Sequence, residues 1–314
     1  MQTIIFNYND KNLVNEEVCI CLGYFDGLHL GHLRLINKAK ESKYKSCVLT
    51  FDFSNNINLK NKNVITTIED KQRILSKIGI DYLLVLKFDN NIMNLSPNEF
   101  ITFLLNNFNI KEVVIGEDFS FGKNAEGKKD TLLNYNFKVD VVSELKYDNL
   151  KIGTSYIIKL LKEGNLSLAN KLLGYPYQIS GIVNNGFHFG KNHNYPTANI
   201  DFNNYVVPKY GVYACKVLVD DKIYKAICNV GIHPTINELN KPILEVNLFD
   251  FNGNLYNKKI SIQLIDFIRE EKKFTTTSEL YKQIDLDYKT CLDILNYWFS
   301  VCFATFASYF FLSA

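Results

Sequence analysis

The decapeptide Gly23-Tyr24-Phe25-Asp26-Gly27-Leu28-His29-Leu30-Gly31-His32 decides how this chain is read. An apolar run, Val18 to Leu22, precedes it and reads as a buried strand; an amphipathic run, Leu33 to Lys43, follows and reads as a helix. The stretch between is a strand-to-helix turn holding three glycines and two histidines. Glycines let the backbone turn sharply and approach a ligand closely. The start of a helix offers free N–H groups and the positive end of its dipole, which suits phosphate. His29 and His32 stand three residues apart, so both imidazoles can face one spot at the helix entrance. There they can donate to phosphate oxygens and stabilise charge at a phosphorus under attack. Two other readings stay open: a turn with two surface histidines, and a metal pair, for which no third ligand stands nearby.

Working outward, the 314 residues are long for one domain and comfortable for two, and a hydrophobic content of 47% supports real cores. The net charge of +2, with both signs interspersed, leaves no electrostatic footprint for nucleic acid. Seven cysteines lie scattered without a Cys-x-x-Cys pair, a pattern of reduced thiols that points to the cytoplasm. Met1 to Asp10 lacks the basic region and apolar core of a signal peptide.

Strands are expected at Thr3–Phe6, Ser46–Phe53, Asp81–Phe88, Glu112–Gly116 and Val139–Val142. Helices are expected at Thr67–Ile78, with Thr67 as N-cap and Gly79 as C-cap, and at Pro97–Phe108 behind Ser96. This alternation predicts a doubly wound α/β sheet. Gly116-Glu117-Asp118-Phe119-Ser120-Phe121-Gly122 lies just past a strand's carboxyl end, where such sheets bind ligands; taken alone it reads rather as an ordinary turn with two packed phenylalanines. Thr154 and Ser155 bring two hydroxyls to a helix start, where they can cap it or bind phosphate.

Helical spacing ends at Leu173-Gly174 and strand-like alternation begins after Tyr175-Pro176-Tyr177, so residues 1–177 read as one domain and 178–293 as another. The second holds short strands at Ile179–Val183, Val212–Val219, Lys222–Val230, Leu244–Phe249 and Lys259–Phe267. Asp220-Asp221 and Asn252-Gly253 are hairpin-type turn signals. Close strands without intervening helices predict a small antiparallel barrel, closed by a helix over Ser278–Leu295. In Gly190-Lys191-Asn192-His193-Asn194-Tyr195-Pro196-Thr197-Ala198-Asn199, a basic loop is followed by Thr197 and Asn199, whose oxygens suit Mg²⁺ and fall on one face of an extended segment.

The opening decapeptide, with Gly116–Gly122, resembles the nucleotidyltransferase module of the bacterial bifunctional riboflavin kinase/FAD synthetases. The Pro-Thr-Ala-Asn element, Pro208–Ala214, Asn229–Thr235 and Glu245–Phe251 resemble, in order and spacing, that family's riboflavin kinase module. The resemblance implies a Rossmann-like adenylyltransferase domain, then a riboflavin kinase barrel with a C-terminal helix, making FMN and FAD from riboflavin and ATP with Mg²⁺. It implies that His29 and His32 act on the ATP phosphates, within a site formed by Gly23, Phe25, Asp26, Gly27, Gly31, Thr154 and Ser155. It implies that Asp118 borders the adenine or flavin site and Arg269 contacts flavin. In the kinase it implies ATP at Gly190, Lys191 and Pro196, Mg²⁺ at Thr197 and Asn199, and Glu245 as general base.

Two elements depart from the family. Where it has Pro-His-Pro after Thr-Phe, Thr50-Phe51-Asp52 is here followed by Phe53-Ser54-Asn55, and its Ser-Ser-Thr-x-x-Arg carries Ile158 where the arginine belongs. These departures motivate an alternative, a riboflavin kinase whose first domain only binds nucleotide or flavin. After Asp293 no charged residue follows, and the 294–314 tail has about the ~20-residue length of a membrane span. Its aromatic and Ser/Thr content and the lack of a basic flank weigh against an anchor, leaving a packed helix or a shifted reading frame.

Overall fold

The computed structural model describes residues 1–54, 62–184, 197–202, 204–232 and 242–311, with side chains up to Trp298 in the last helix. The chain forms two compact units, Met1–Thr154 and Ser155–Ala314.

The first unit runs β1 (Gln2–Phe6), β2 (Val14–Leu22), α1 (Leu30–Lys40), β3 (Lys45–Asp52), α2 (Ile68–Ile78), β4 (Tyr82–Lys87), α3 (Asn90–Asn94), α4 (Pro97–Asn107), β5 (Phe108–Gly116), α5 (Lys129–Leu132), β6 (Lys138–Val142), β7 (Lys146–Tyr147) and β8 (Leu150–Lys151). Six strands make one parallel sheet in the order β1-β4-β3-β2-β5-β6, and β7 pairs with β8 in a separate hairpin. From β2 the chain steps through β3 and β4 to one side, then returns to place β5 on β2's other flank, with Cys21 opposite Val114. The order therefore reverses at the carboxyl ends of β2 and β5, the position where a doubly wound sheet opens a binding crevice. The glycine-histidine turn follows β2 and the Asp118 loop follows β5. Val18 to Leu22 are all buried, as expected of a parallel strand covered on both faces. Local chemistry sets the helix ends. Thr67 and Asp70 form a reciprocal capping box, Gly79 closes α2 in the left-handed region, and Ser96 caps α4 with Glu99.

The second unit opens with α6 (Thr154–Glu163, its first residue shared with the first unit) and α7 (Leu166–Leu173). Then come β9 (Gln178–Asn184), β10 (Ala198–Asp201), β11 (Gly211–Val219), β12 (Lys222–Ile232), β13 (Pro242–Leu248), β14 (Lys259–Arg269) and α8 (Thr277–Phe311). The six strands close an antiparallel barrel in the order β10-β13-β12-β11-β14-β9. Asp220 and Asp221, both at positive φ, make the tight turn between β11 and β12. Helix α8 lies on the barrel, burying Cys291 and Leu295 against Ala214, Phe249 and Ile265.

Two expectations need correction. The helix after the turn begins at Leu30 rather than Leu33, because His29 itself acts as N-cap. Asn252-Gly253 does not join paired strands, since β12 and β11 stand between β13 and β14 in the barrel. The junction expected at Tyr175–Tyr177 is a true change from helix to strand, yet the compact units divide between Thr154 and Ser155. The reason is packing: Asn170 of α7 donates to the carbonyls of Leu264 and Ile265 and accepts the amide of Tyr177, so the helix belongs with the barrel. The first residues of the apolar tail continue α8 and pack there too. Trp298 lies over the ammonium of Lys216, and Asn296 accepts from Lys225. Among the described residues no helix is long and apolar enough to cross a membrane.

Candidate active sites

In the first unit, the turn after β2 is held in an unusual backbone shape. Phe25 and Leu28 adopt positive φ of 54° and 38°, and Gly27 lies between them at 83°. Buried Asp26 over-determines that shape. Its Oδ1 accepts the backbone N–H groups of Ile65 at 2.8 Å and Thr66 at 3.0 Å, and Gly27 donates to the Thr66 hydroxyl at 2.8 Å. Burial raises the carboxyl above its usual range, opposed by those N–H groups and by Lys71. Asp26 thus orders the loop from beneath.

His29 and His32 are brought face to face, with ring centroids 3.6 Å apart and planes 19° apart. His29 Nδ1 accepts the His32 N–H at 3.3 Å, which fixes that nitrogen as unprotonated. The Phe25 ring meets His32 edge-on at 5.3 Å. A Cβ on Gly31 would sit 3.1 Å from the His29 ring and 3.4 Å from the Ile152 carbonyl, so glycine there is what lets the ring lie against the helix start. Burial, then the nearby Lys151 charge, lowers the His29 pKa to about 4; burial and His29 push His32 well below its usual value. Both imidazoles are therefore neutral at pH 7, and His32 Nδ1 is buried without a partner. The pair can donate hydrogen bonds but does not itself bring positive charge.

Gly23 donates its amide to the Leu49 carbonyl at 3.3 Å. Thr154 gives its hydroxyl to the Asp26 carbonyl at 3.0 Å, so it clamps the loop. Ser155 is the first residue of the second unit. Asp118 pairs with Lys151, whose Nζ lies 2.5 Å from Oδ2, and this holds its carboxyl below the usual range. Phe119 and Phe121 stack 5.6 Å apart, and Phe121 is buried in the core beside Phe100. The packed-phenylalanine reading is thus right for those two residues, while Asp118, like Glu117 before it, is exposed.

Sequence reasoning missed Lys71. It is fully buried, donating to the Tyr24 carbonyl at 2.7 Å and the Thr50 hydroxyl at 2.9 Å, with its pKa lowered to about 8 by burial. The available signal was a lysine at helical spacing from Ile68, Ile74 and Leu75, on the apolar face of α2.

In the barrel, strand register does what sequence distance conceals. Asn199 of β10 lies opposite Glu245 of β13, and Glu245 lies opposite Asn229 of β12. Val212 of β11 lies opposite both Asn229 and Arg269 of β14. Directly paired residues share a face, so this row circles one end of the barrel. Thr197, Glu245, Asn229 and Arg269 line a cavity of about 350 Å³. Its other wall is apolar, with Phe274 and, from α8, Leu280, Ile284 and Tyr288. Arg269 lines this cavity, but its guanidinium is engaged. Nε and Nη2 grip buried Asp287 of α8 at 2.7–2.9 Å, and Gln283 donates to the same carboxylate. Asp287 was also missed; it is an acid within the apolar stripe of a helix. Asn199 Oδ1 is buried without a hydrogen-bond partner, an oxygen ready for a cation. Gly190, Lys191 and Pro196, with His188, His193 and His233, lie outside the described residues. Among the described residues no group of three His, Cys, Asp or Glu side chains could hold a metal.

Known proteins share both sites' sequence context. A family model described as FAD synthetase matches residues 11–156, and one described as riboflavin kinase matches residues 173–295. The bifunctional riboflavin kinase/FMN adenylyltransferase of Bacillus subtilis (strain 168) is 39% identical, with 91% of this chain and 96% of that protein covered. The protein of the same name from Escherichia coli (strain K12) is 33% identical, with 92% and 96% covered. A crystal structure described as a macrolide-efflux protein from Streptococcus pneumoniae is 29% identical at a TM-score of 0.84, covering 92% of this chain and 98% of that one. The two family models and the full-length relatives place this chain in the bifunctional riboflavin kinase/FMN adenylyltransferase family.

Proposed function

We propose that the barrel unit transfers the terminal phosphoryl group of ATP to the 5′-hydroxyl of riboflavin, and that the parallel-sheet unit then joins the FMN so formed to the AMP part of a second ATP, giving FAD. The observation that carries the reading is the in-register row Asn199–Glu245–Asn229 at the edge of an apolar-walled cavity. The apolar wall suits a flat aromatic ring, and the volume falls in the range of small-molecule sites. Glu245 stands at the polar edge, placed to accept the hydroxyl proton as the oxygen attacks phosphorus.

The oxygen donors Thr197 and Asn199 fit Mg²⁺, and the unpartnered Oδ1 of Asn199 is the observation in favour. When bound, the ion would neutralise phosphate charge. Gly190, Lys191 and Pro196 belong by position to the nucleotide side of the same site. Arg269 acts through Asp287, holding α8 as the cavity's wall.

In the first unit, the neutral pair His29 and His32 donates to the ATP phosphates at the start of α1. Gly23, Phe25, Asp26, Gly27, Gly31 and Thr154 shape the turn that presents them. The full-length bifunctional relatives and the intact, loop-braced histidine pair favour this reading over a kinase with an inert first domain.

The test is to incubate the protein with riboflavin, ATP and Mg²⁺ and separate the flavins. Both FMN and FAD are expected. Glu245→Gln should abolish FMN formation while still converting supplied FMN to FAD. Wild-type FMN formation in that variant would overturn the role of Glu245, and FMN without FAD from the unaltered protein would restore the kinase-only alternative.

A further inference from the structure

Lys151 is left without a role by the reading above, and its setting is specific. It ends β8, and two tethers fix the backbone around it beside the glycine-histidine turn. The carbonyl of the next residue, Ile152, abuts Gly31, and Thr154, three residues on, bonds the Asp26 carbonyl. Its ammonium sits 2.5 Å from Asp118 Oδ2 and 2.6 Å from Glu144 Oε1, while the side chain stays 43% exposed. Its charge reaches both His29 and His32. Among the described residues, Lys71 is the other cation whose charge acts on the pair, at His32. Lys71 is fully buried beneath the loop, bonded to Tyr24 and Thr50, and is not free to meet a ligand. The imidazoles are uncharged, and His32 Nδ1 is buried and unpartnered beside them. A polyphosphate arriving at α1 would therefore find donors at the histidines and the helix end, and a movable positive charge at one side chain.

We propose that Lys151 is a phosphate-binding residue of the adenylylation site, held ready by Asp118 and Glu144 and passed to the β- and γ-phosphates of ATP when the nucleotide binds. The proposal rests on the adenylyltransferase reading of the first unit. In the reaction an ionised phosphate oxygen of FMN attacks the α-phosphorus of ATP. The bond from that phosphorus to the bridging oxygen breaks, and its electron pair leaves on pyrophosphate. No proton has to move, and the charge that grows on the leaving group is what the Lys151 ammonium stabilises. The two carboxylates compete with phosphate for the lysine, so they set how strongly it favours phosphate.

The experiment uses the full chain, with FMN and ATP as substrates and inorganic pyrophosphate as the probe. Lys151→Met should lower kcat/KM for ATP in FAD formation by about 10- to 100-fold. It should weaken pyrophosphate inhibition by a comparable factor and leave the KM for FMN and the riboflavin kinase rate unchanged. Lys151→Arg should retain most of the activity, and Glu144→Gln should strengthen pyrophosphate inhibition. Wild-type kcat/KM and pyrophosphate inhibition in Lys151→Met would overturn the proposal. So would a loss of FAD formation with pyrophosphate inhibition intact, because a mere structural tie would do that. If the unaltered protein makes no FAD, calorimetric titration with pyrophosphate separates the two ideas. Binding weakened by Lys151→Met keeps the site and discards the reaction, and equal binding in both proteins discards the site.

Discussion

The loop beneath the histidine pair hangs on Asp26, and replacing that residue tests the whole construction of the first unit. Asp26→Ala removes one carboxylate oxygen that two buried backbone N–H groups, those of Ile65 and Thr66, require. A buried donor left unsatisfied costs roughly 1–3 kcal/mol, and the loop can relax to recover part of that. The expected loss is therefore about 2–5 kcal/mol, confined to the first unit. Asp26→Asn keeps an acceptor in place and removes the charge that opposes Lys71, so it should lose less than half as much. Trp298, the lone tryptophan, stands in the second unit and is blind to this change. The assay is hydrogen exchange followed by mass spectrometry over residues 23–32 and 64–71, with FAD and FMN formation measured in parallel. Asp26→Ala should exchange rapidly in both segments and lose FAD formation while keeping FMN formation. Wild-type protection in Asp26→Ala would refute the reasoning. An Asn variant as damaged as the Ala variant would shift the weight from the hydrogen bonds to the ion pairing with Lys71.

Acid should spare the histidine pair but not the fold around it. With His29 lowered to about 4 and His32 also held well below its usual value by burial, the native unit stays neutral at these sites while the unfolded chain takes up protons near pH 6.5. Stability of the first unit should thus fall as pH drops from about 6.5 to 4; a melting temperature of that unit flat across this window would contradict the burial argument. In the barrel, Asp287→Ala leaves the Arg269 guanidinium unpaired in a mostly buried position, which should cost about 2–4 kcal/mol and loosen α8. Its signature is a raised KM for riboflavin with a smaller effect on the KM for ATP, and an unchanged riboflavin KM would show that α8 does not form the flavin wall.

Much of the site was legible because it is local. The strand, turn and helix around Gly23–His32 announce themselves by hydrophobic period and by glycine and histidine spacing. The caps at Thr67, Gly79 and Ser96 follow from chemistry within one turn of helix. The Thr197–Asn199 pair needed only the alternation of an extended segment. What failed did so for physical reasons. His29 is an uncommon N-cap, so the helix start was placed a turn too late. Asn252-Gly253 has hairpin composition but joins strands that are not neighbours in the barrel.

By itself, then, the sequence determined the fold class and the short motifs that mark the two candidate sites, because these depend on periodicity and short spacings. Only the tertiary structure decided four further matters. It set Glu245 beside Asn199 and Asn229 through barrel register, it set Lys71 beneath the turn, and it engaged Arg269 with Asp287 rather than leaving it free. It also decided that the two histidines are uncharged. A side chain's protonation and its partners depend on what burial removes and what packing brings near, and neither is written in the order of residues.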